Sequence, residues 1–361
     1  MNGVKVSCVI AAYKVAAFIG QCARSLFSQT LADMEFVFVD DASPDDGIGI
    51  VREVLEAFPA RKEQVKIVRH ERNQGIIQTR RDGLAEATGD YILFVDGDDW
   101  MEPDLAENLY NKAVETEADM VVCDFYVNEG ANQYQSPAFR DEALERGDDY
   151  RKAIINRMAG PYVWNKLIRR SLLTKNGFVW PVRPHGEDIV IITSAAYYSR
   201  TIAYVERPLN HYRINPQSMM NRIDESHLVR MYEDYKQNMM AIEDFLERQG
   251  RGEEYAEGIY SNKLRTKNHL LPLVGERKYW RLWKNTFPEI NKTLFWGNKS
   301  HKSSYRDKIW YLCIVTGLYP RMRKFLVKKI FRTGQDWKIG AYKFDHLYKA
   351  SKLRGKAQQV A

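Results

Sequence analysis

Asp96, Asp98 and Asp99 place three carboxylates within four positions of the chain. Ionised carboxylates this close repel one another, and a cation is their natural neutraliser. Hard divalent ions such as Mg2+ and Mn2+ take oxygen ligands and often share one or two carboxylates with a substrate's phosphates. Two further acid pairs stand elsewhere, Asp40–Asp41 and Glu187–Asp188. Each also has a plain reading. Asp and Ser are turn formers, and acids are favoured in the first turn of a helix by its macrodipole. The elements that carry these residues must decide between the readings.

The triad of acids ends Tyr91-Ile-Leu-Phe-Val95, an apolar run suited to a strand buried on both faces. Upstream, Val4–Ile10 is a β-branched strand followed by the small pair Ala11–Ala12 and then Tyr13. Phe36–Val39 is a second strand that ends in Asp40–Asp41, and Val65–Val68 is a third. Helical spacing follows each, through Phe18–Phe27, Ile50–Phe58 and Ile76–Ala87, with Ser43 and Asp45 placed to cap the second helix. Another helix follows Glu102-Pro103-Asp104, and Met120–Cys123 is a further strand that ends at Asp124. This alternation predicts an α/β fold, a Rossmann-like, mostly parallel sheet with helices on both faces. Right-handed crossovers then bring Tyr13, Asp40, Asp41, Asp96 and Asp98 to one rim, where α/β sheets bind ligands. Residues 128–150 read as a polar loop, 151–158 and 189–198 as helices, and Ile202–Val205 as a strand. His211-Tyr212-Arg213 reads as loop, and long helices follow from Asp224 to about Gln249 and from Glu253 to Leu271.

Charge is divided unevenly. Residues 1–260 hold 30 Lys+Arg and 42 Asp+Glu, whereas residues 261–361 hold 24 and 5, a net of +19 in the tail. Such a tail suits an anionic surface. No apolar run reaches the ~18 residues that would span a bilayer. The apolar and basic clusters between Tyr305 and Arg332 instead suit an interfacial helix pair. The four cysteines have no paired or metal-type spacing and read as buried thiols of a reducing compartment. Met1-Asn-Gly-Val runs almost straight into a strand without a signal-peptide pattern.

Taken in order, Val6-Ser-Cys-Val-Ile-Ala-Ala-Tyr13, Val39-Asp-Asp-Ala-Ser43, Asn73-Gln-Gly75, Arg80 with Gly83, Gly89-Asp-Tyr-Ile-Leu-Phe-Val-Asp-Gly-Asp-Asp99, Trp164-Asn-Lys-Leu167 and Glu187-Asp188 resemble a family 2 glycosyltransferase with the GT-A fold. The resemblance implies transfer of a sugar from a UDP-sugar to a hydroxyl of a glycan or lipid-linked acceptor, with inversion and with Mn2+ or Mg2+. It covers about residues 1–220 as a nucleotide-sugar-binding and catalytic domain. Residues 221–361 form a mainly helical, basic region expected to lie peripherally on the inner face of the cell membrane, and the chain is expected in the cytoplasm. Ala11 and Tyr13 would approach the donor, Asp41 the uracil, and Arg80 a phosphate or nucleotide oxygen. Asp98 would ligate the metal and touch the donor, Asp96 would hold the ribose or assist the metal through water, and Asp188 would be the general base beside Glu187. Asp99 would either assist the metal or cap a turn. Trp164 would stack on an acceptor sugar or fill core. His211 would ligate metal or serve structure, and Arg213 would close over the diphosphate. Lys14 stands where the family commonly has Asn, Ala42 replaces a frequent Gly, and Arg81–Asp82 replaces a usual Asn-x.

Two other classes compete. A sugar-nucleotide pyrophosphorylase needs a Gly-rich, Arg-containing loop after the first strand, and Ala11-Ala-Tyr-Lys-Val15 offers none. A non-catalytic protein that binds through its basic tail would not need the site carboxylates. The tail also lacks the stacking repeats of a nucleic-acid binder, so no nucleic acid is expected.

Overall fold

A computed structural model of the chain describes residues 3–139, 149–157, 159–215, 224–271, 273–274 and 276–297, with short runs between 308 and 318. The chain divides into two compact units, Met1–Pro216 and Gln217–Ala361.

The first unit is built on a mixed sheet. Its strands are β1 (Val6–Ala12), β2 (Met34–Asp40), β3 (Val65–Arg69), β4 (Tyr91–Asp96), β5 (Trp100–Met101), β6 (Met120–Glu129), β7 (Asn132–Ser136), β8 (Lys166–Arg169) and β9 (Ile202–Arg213). The order is β3-β2-β1-β4-β8-β6-β9-β5, with β7 beside β6. Strands β3, β2, β1 and β4 pair in parallel. Strand β8 inserts antiparallel between β4 and β6, and β9 runs parallel to β6. The strands expected from the alternation therefore share one direction, and β5, β7 and β8 oppose it. Register sets the rim: Ala11 pairs with Asp96, and Ala12 with Asp40.

Helices cover both faces. On one face Cys8, Ile10 and Ala12 share a core with Ile19 and Leu26 of α1 (Ala16–Phe27) and Val51 of α2 (Gly47–Leu55). The same core takes in Leu105 and Leu109 of α4 (Leu105–Glu115). On the other face α3 (Ile76–Glu86) packs so closely that a Cβ at Gly83 would lie 2.3 Å from Val9 Cγ1. Only glycine fits there. The first unit is completed by α5 (Tyr150–Ile155), α6 (Arg170–Leu173) and α7 (Glu187–Tyr198). The second unit contains α8 (Glu225–Arg248), α9 (Ala256–Asn268), α10 (Arg277–Asn285) and α11 (Glu289–Trp296) around Tyr232, Tyr260, Leu270, Trp283 and Leu294.

Several local expectations are corrected. His211–Arg213 is the end of β9 rather than loop, because each residue pairs with Tyr126–Asn128 of β6. Strand β6 does not end at Asp124 but passes through it with a register shift. Asn132–Ser136 is strand rather than loop. Helix α2 is capped by Asp46, which accepts from Gly49 N, and not by Ser43 or Asp45. Those two brace the preceding loop: Ser43 Oγ accepts from Lys14 N at 2.8 Å and Asp45 Oδ2 from Ala16 N at 2.8 Å. The four cysteines are free and buried. Most of the segment 305–332 lies outside the described residues.

Two of the family departures sit where the backbone is strained. Lys14 has φ 57° and Ala42 φ 51°. That left-handed region favours Asn and Gly. Lys14→Asn and Ala42→Gly should each stabilise the protein by roughly 0.5–1 kcal/mol; unchanged or lower denaturant midpoints would contradict this reading.

Strand β8 begins with an unusual residue. Lys166 is fully buried, and Nζ donates to Gly160 O (2.9 Å), Tyr162 O (2.7 Å) and Asn165 Oδ1 (2.7 Å). Burial pulls its pKa down to about 7, against the charges of Cys123 and Asp188. An unfolded lysine titrates near ~10.4, so between those values only the unfolded chain keeps the proton. This group therefore makes stability rise with pH across that window. The stability gap between wild type and Lys166→Met should widen from about pH 7 to pH 9; a constant gap in urea melts would refute it.

Candidate active site

Arg80 is the centre of the site. It lies on α3, is 3% exposed and has its guanidinium 5.9 Å over the Phe94 ring. Nη1 donates to Glu187 Oε1 at 2.9 Å and to Asp188 Oδ1 at 2.7 Å, and Nη2 to Asp96 Oδ1 at 3.2 Å. Burial alone would lower its pKa, but Asp188, Asp96 and Glu187 outweigh that and raise it. The structure places the side chain expected to reach a phosphate or nucleotide oxygen against three acids. Its fork is filled by three carboxylates, as suits a bidentate donor.

The carboxylates arrive from two elements. Asp96 ends β4, and burial pushes its pKa up to about 6 against the pull of Arg80. Glu187 and Asp188 open α7 after Gly186, which has φ 78°. Burial and then Asp188 raise the Glu187 carboxyl. Gly97 turns the chain between Asp96 and Asp98, and a Cβ there would meet Ala11 O at 2.8 Å. Asp98 Oδ2 accepts from Asn215 Nδ2 at 3.3 Å.

A divalent cation fits these residues. Asp96 Oδ2 and Asp98 Oδ1 accept no hydrogen bond among the described residues, and both side chains are partly exposed. Two open hard oxygens suit Mg2+ or Mn2+ completed by phosphates and water. Among the described residues no cluster of three or more His, Cys, Asp or Glu is arranged to hold a metal by itself.

Asp99 braces the neighbouring strand. It is 2% exposed, and its Oδ1 accepts from Arg213 N at 2.7 Å, which ties β9 to the end of β4. Its Oδ2 finds no partner among the described residues, and burial, Asp98 and Asp96 raise its pKa. Arg213 donates from Nε to Asp98 O and from Nη2 to Gln21 Oε1, with its guanidinium 4.5 Å over the Trp100 ring. His211 serves structure: it stacks between Trp100 and Tyr126, its Nε2 lies 2.8 Å from Glu102 Oε1, and burial lowers its pKa. Trp164 is 4% exposed, between Tyr162 and Tyr212, so the core reading holds.

The rim at Asp41 is equally tied down. Asp41 is buried; its Oδ1 accepts from Gln74 N (2.6 Å) and lies 2.8 Å from His70 Nδ1, and its Oδ2 accepts from Gly75 N (2.8 Å). A carboxylate offers about four acceptor sites, so one is left. His70 continues to Asp82 at 3.0 Å. Tyr13 stands at the rim, 40% exposed, beside the partly exposed Ala11. The sequence assigned no site role to His70, Asp82, Lys166 or Tyr212. A lysine inside the apolar strand pattern at 166 was the one available signal.

The model of glycosyl transferase family 2 matches residues 7–180. EpsH of Bacillus subtilis is 30% identical over 258 residues, which cover 69% of this chain and 71% of EpsH. TarS 1-349 of S. aureus, solved in complex with UDP-GlcNAc, superposes with a TM-score of 0.58 at 17% identity, over 92% of this chain and 93% of TarS. The mannosyltransferase PcManGT of Pyrobaculum calidifontis, solved with GDP-Man and Mn2+, gives 0.51 at 14% identity, over 91% and 89%. These folds have the GT-A architecture. With the sequence match and the shared fold together, the chain belongs to glycosyl transferase family 2 and is a glycosyltransferase.

Proposed function

We propose that the chain moves a sugar from a UDP-sugar to a hydroxyl of a glycan or lipid-linked acceptor, with inversion at the anomeric carbon. The observation that carries this reading is Arg80, whose one fork reaches both Asp96 at the end of β4 and Glu187–Asp188 on α7. A donor-side acid and an acceptor-side acid pair therefore share one small site. Residues 1–220 make up the catalytic domain in this reading.

Asp96 and Asp98 would hold Mn2+ or Mg2+, which when bound supplies Lewis-acid neutralisation of the leaving diphosphate. Asp41 keeps one acceptor site for a base N–H, and Ala11 leaves the backbone open at the rim. Asp188 takes the proton of the acceptor hydroxyl as its oxygen bonds to the anomeric carbon. The bond from that carbon to the diphosphate breaks on the opposite face, which inverts the centre. Arg80 Nη1 donates to Asp188 Oδ1 and so holds that carboxylate in place. The raised Glu187 carries its proton more readily, which relieves repulsion within the pair.

The test is a panel of UDP-sugars with Mn2+ or Mg2+, scored by UDP release and by the product's anomeric configuration. Asp98→Ala and Asp188→Asn should each lower kcat at least ~100-fold. Wild-type rates in both variants would refute the site, and a retained configuration would refute inversion.

We also propose that the second unit rests on an anionic membrane surface. Its support is the net +19 of residues 261–361 and the exposed apolar side chains Trp296 (76%) and Leu312 (49%). Helix α10 adds exposed Arg277, Lys278, Arg281 and Lys284 while Tyr279 and Trp283 turn inward. No helix of the described residues is long and apolar enough to cross a membrane. Sedimentation with vesicles of about one-third phosphatidylglycerol should fall as salt rises from ~0.1 to ~0.5 M and in Trp296→Ser. Equal binding to neutral vesicles would sink the idea.

A further inference from the structure

Tyr212 is out of character for a tyrosine that fills space. It lies on β9 between His211 and Arg213, and strand alternation turns it to the opposite face. Its ring lies nearly flat on Trp164, at 5.6 Å and 5°, and Trp164 lies flat on Tyr162, at 4.7 Å and 14°. Phe125 closes the edges of both Tyr162 and Trp164. Lys166 Nζ donates to the carbonyls of Gly160 and Tyr162 and so fixes the loop that carries the two rings. The shelf is therefore rigid from below.

Its top is open. Tyr212 is 36% exposed, whereas Trp164 is 4% exposed. Buried tyrosines usually find a partner for the hydroxyl. Tyr91 Oη donates to Ala118 O and Tyr204 Oη to Asp124 Oδ1. Tyr212 Oη has no such partner among the described residues. The shelf also borders the chemistry. After burial, Asp99, Tyr162, Asp98 and Asp96 raise the Tyr212 phenol. Lys166, at the base of the shelf, feels the charge of Asp188.

We infer that Tyr212, backed by Trp164 and Tyr162, is the platform on which a pyranose ring of the acceptor stacks at the site where Arg80 joins Asp96 to Asp188. This rests on the reading of Asp188 as the acceptor-side base. A tyrosine face is electron-rich and attracts the C–H face of a pyranose, and the unpaired hydroxyl can bond a ring substituent. A leucine would supply neither. The placement in the sheet favours the acceptor over the donor. Tyr212 belongs to β9, beyond β8 and β6, whereas Asp41 and the nucleotide-side loops belong to β1, β2 and β4.

The experiment uses the full chain, the UDP-sugar that the wild type turns over, and p-nitrophenyl pyranosides as acceptors, with ribitol as an acyclic comparison. Tyr212→Ala and Tyr212→Leu should raise the half-saturating pyranoside concentration at least about tenfold, equivalent to ~1.4 kcal/mol. Tyr212→Phe keeps the face and should move it less than about threefold, and the UDP-sugar KM should move less than about threefold in all three. The leucine variant preserves apolar volume, so a shared loss in Ala and Leu with matching thermal melts excludes a folding defect. An unchanged pyranoside requirement in Tyr212→Leu overturns the proposal. So does a shift confined to the UDP-sugar KM, which would give the ring to the donor. A wild type that accepts ribitol and no pyranoside also overturns it. No UDP release from any UDP-sugar by the wild type would instead bring down the donor reading on which it rests.

Discussion

A buried guanidinium held among three carboxylates is the interaction on which the site depends. Arg80 is 3% exposed, and its partners lie 16, 107 and 108 residues away in sequence. Burying such a charge without partners costs several kcal/mol, and removing one member of a buried pair typically costs about 3–5 kcal/mol. The cluster is therefore unlike a surface ion pair, which contributes little. It holds only if α3, the end of β4 and the start of α7 all arrive at one place. Gly83 lets α3 lie against β1, the pairing of Ala11 with Asp96 aligns the strand ends, and Gly186 in a left-handed turn starts α7. Local geometry at three glycine-dependent or small-residue positions thus converges on one side chain.

The same cluster concentrates negative charge at the rim. Among the described residues, Asp96, Glu187 and Asp188 share the guanidinium of Arg80, and Arg213 lies against Asp98 and Asp99. The excess negative charge is managed in three ways. Asp99 and Glu187 are pushed toward their neutral forms by burial. Arg80 neutralises Asp188 and one oxygen of Asp96. The remaining open oxygens, on Asp96 and Asp98, face the partly exposed rim, where a hard cation can reach them.

The sheet was legible because its strands are written as apolar runs that end in acids. Val6–Ala12, Met34–Asp40 and Tyr91–Asp96 are buried along nearly their whole length, and periodicity finds such runs readily. Convergence of Asp40, Asp41, Asp96 and Asp98 on one edge follows from crossover handedness alone. What pairwise long-range contacts decide was not legible. Nothing local shows that Arg80 turns to α7 rather than to a ligand, that Asp46 rather than Asp45 caps α2, or that His211–Arg213 continues a strand. That strand exists because β6 offers it a partner through Asn128 and because Asp99 anchors Arg213. Neither is visible within a few residues of His211.

Strand β9 shows how one element can serve both halves of the site. Alternation sends His211 and Arg213 to one face, where they bind Glu102, the Asp98 carbonyl and Gln21, and so hold the turn that carries Asp98 and Asp99. The same alternation sends Tyr212 to the other face, onto Trp164. A one-residue slip would exchange the two faces and lose both functions at once. The register is pinned against that slip by three independent anchors: the pairing with β6, the Asp99 carboxylate on Arg213 N, and the Trp100–His211–Tyr126 stack. The buried acid that looked like a candidate ligand is thus better understood as a strut. Asp99 is deep in the protein because the position of β9, and with it the aromatic shelf, depends on a strong acceptor there.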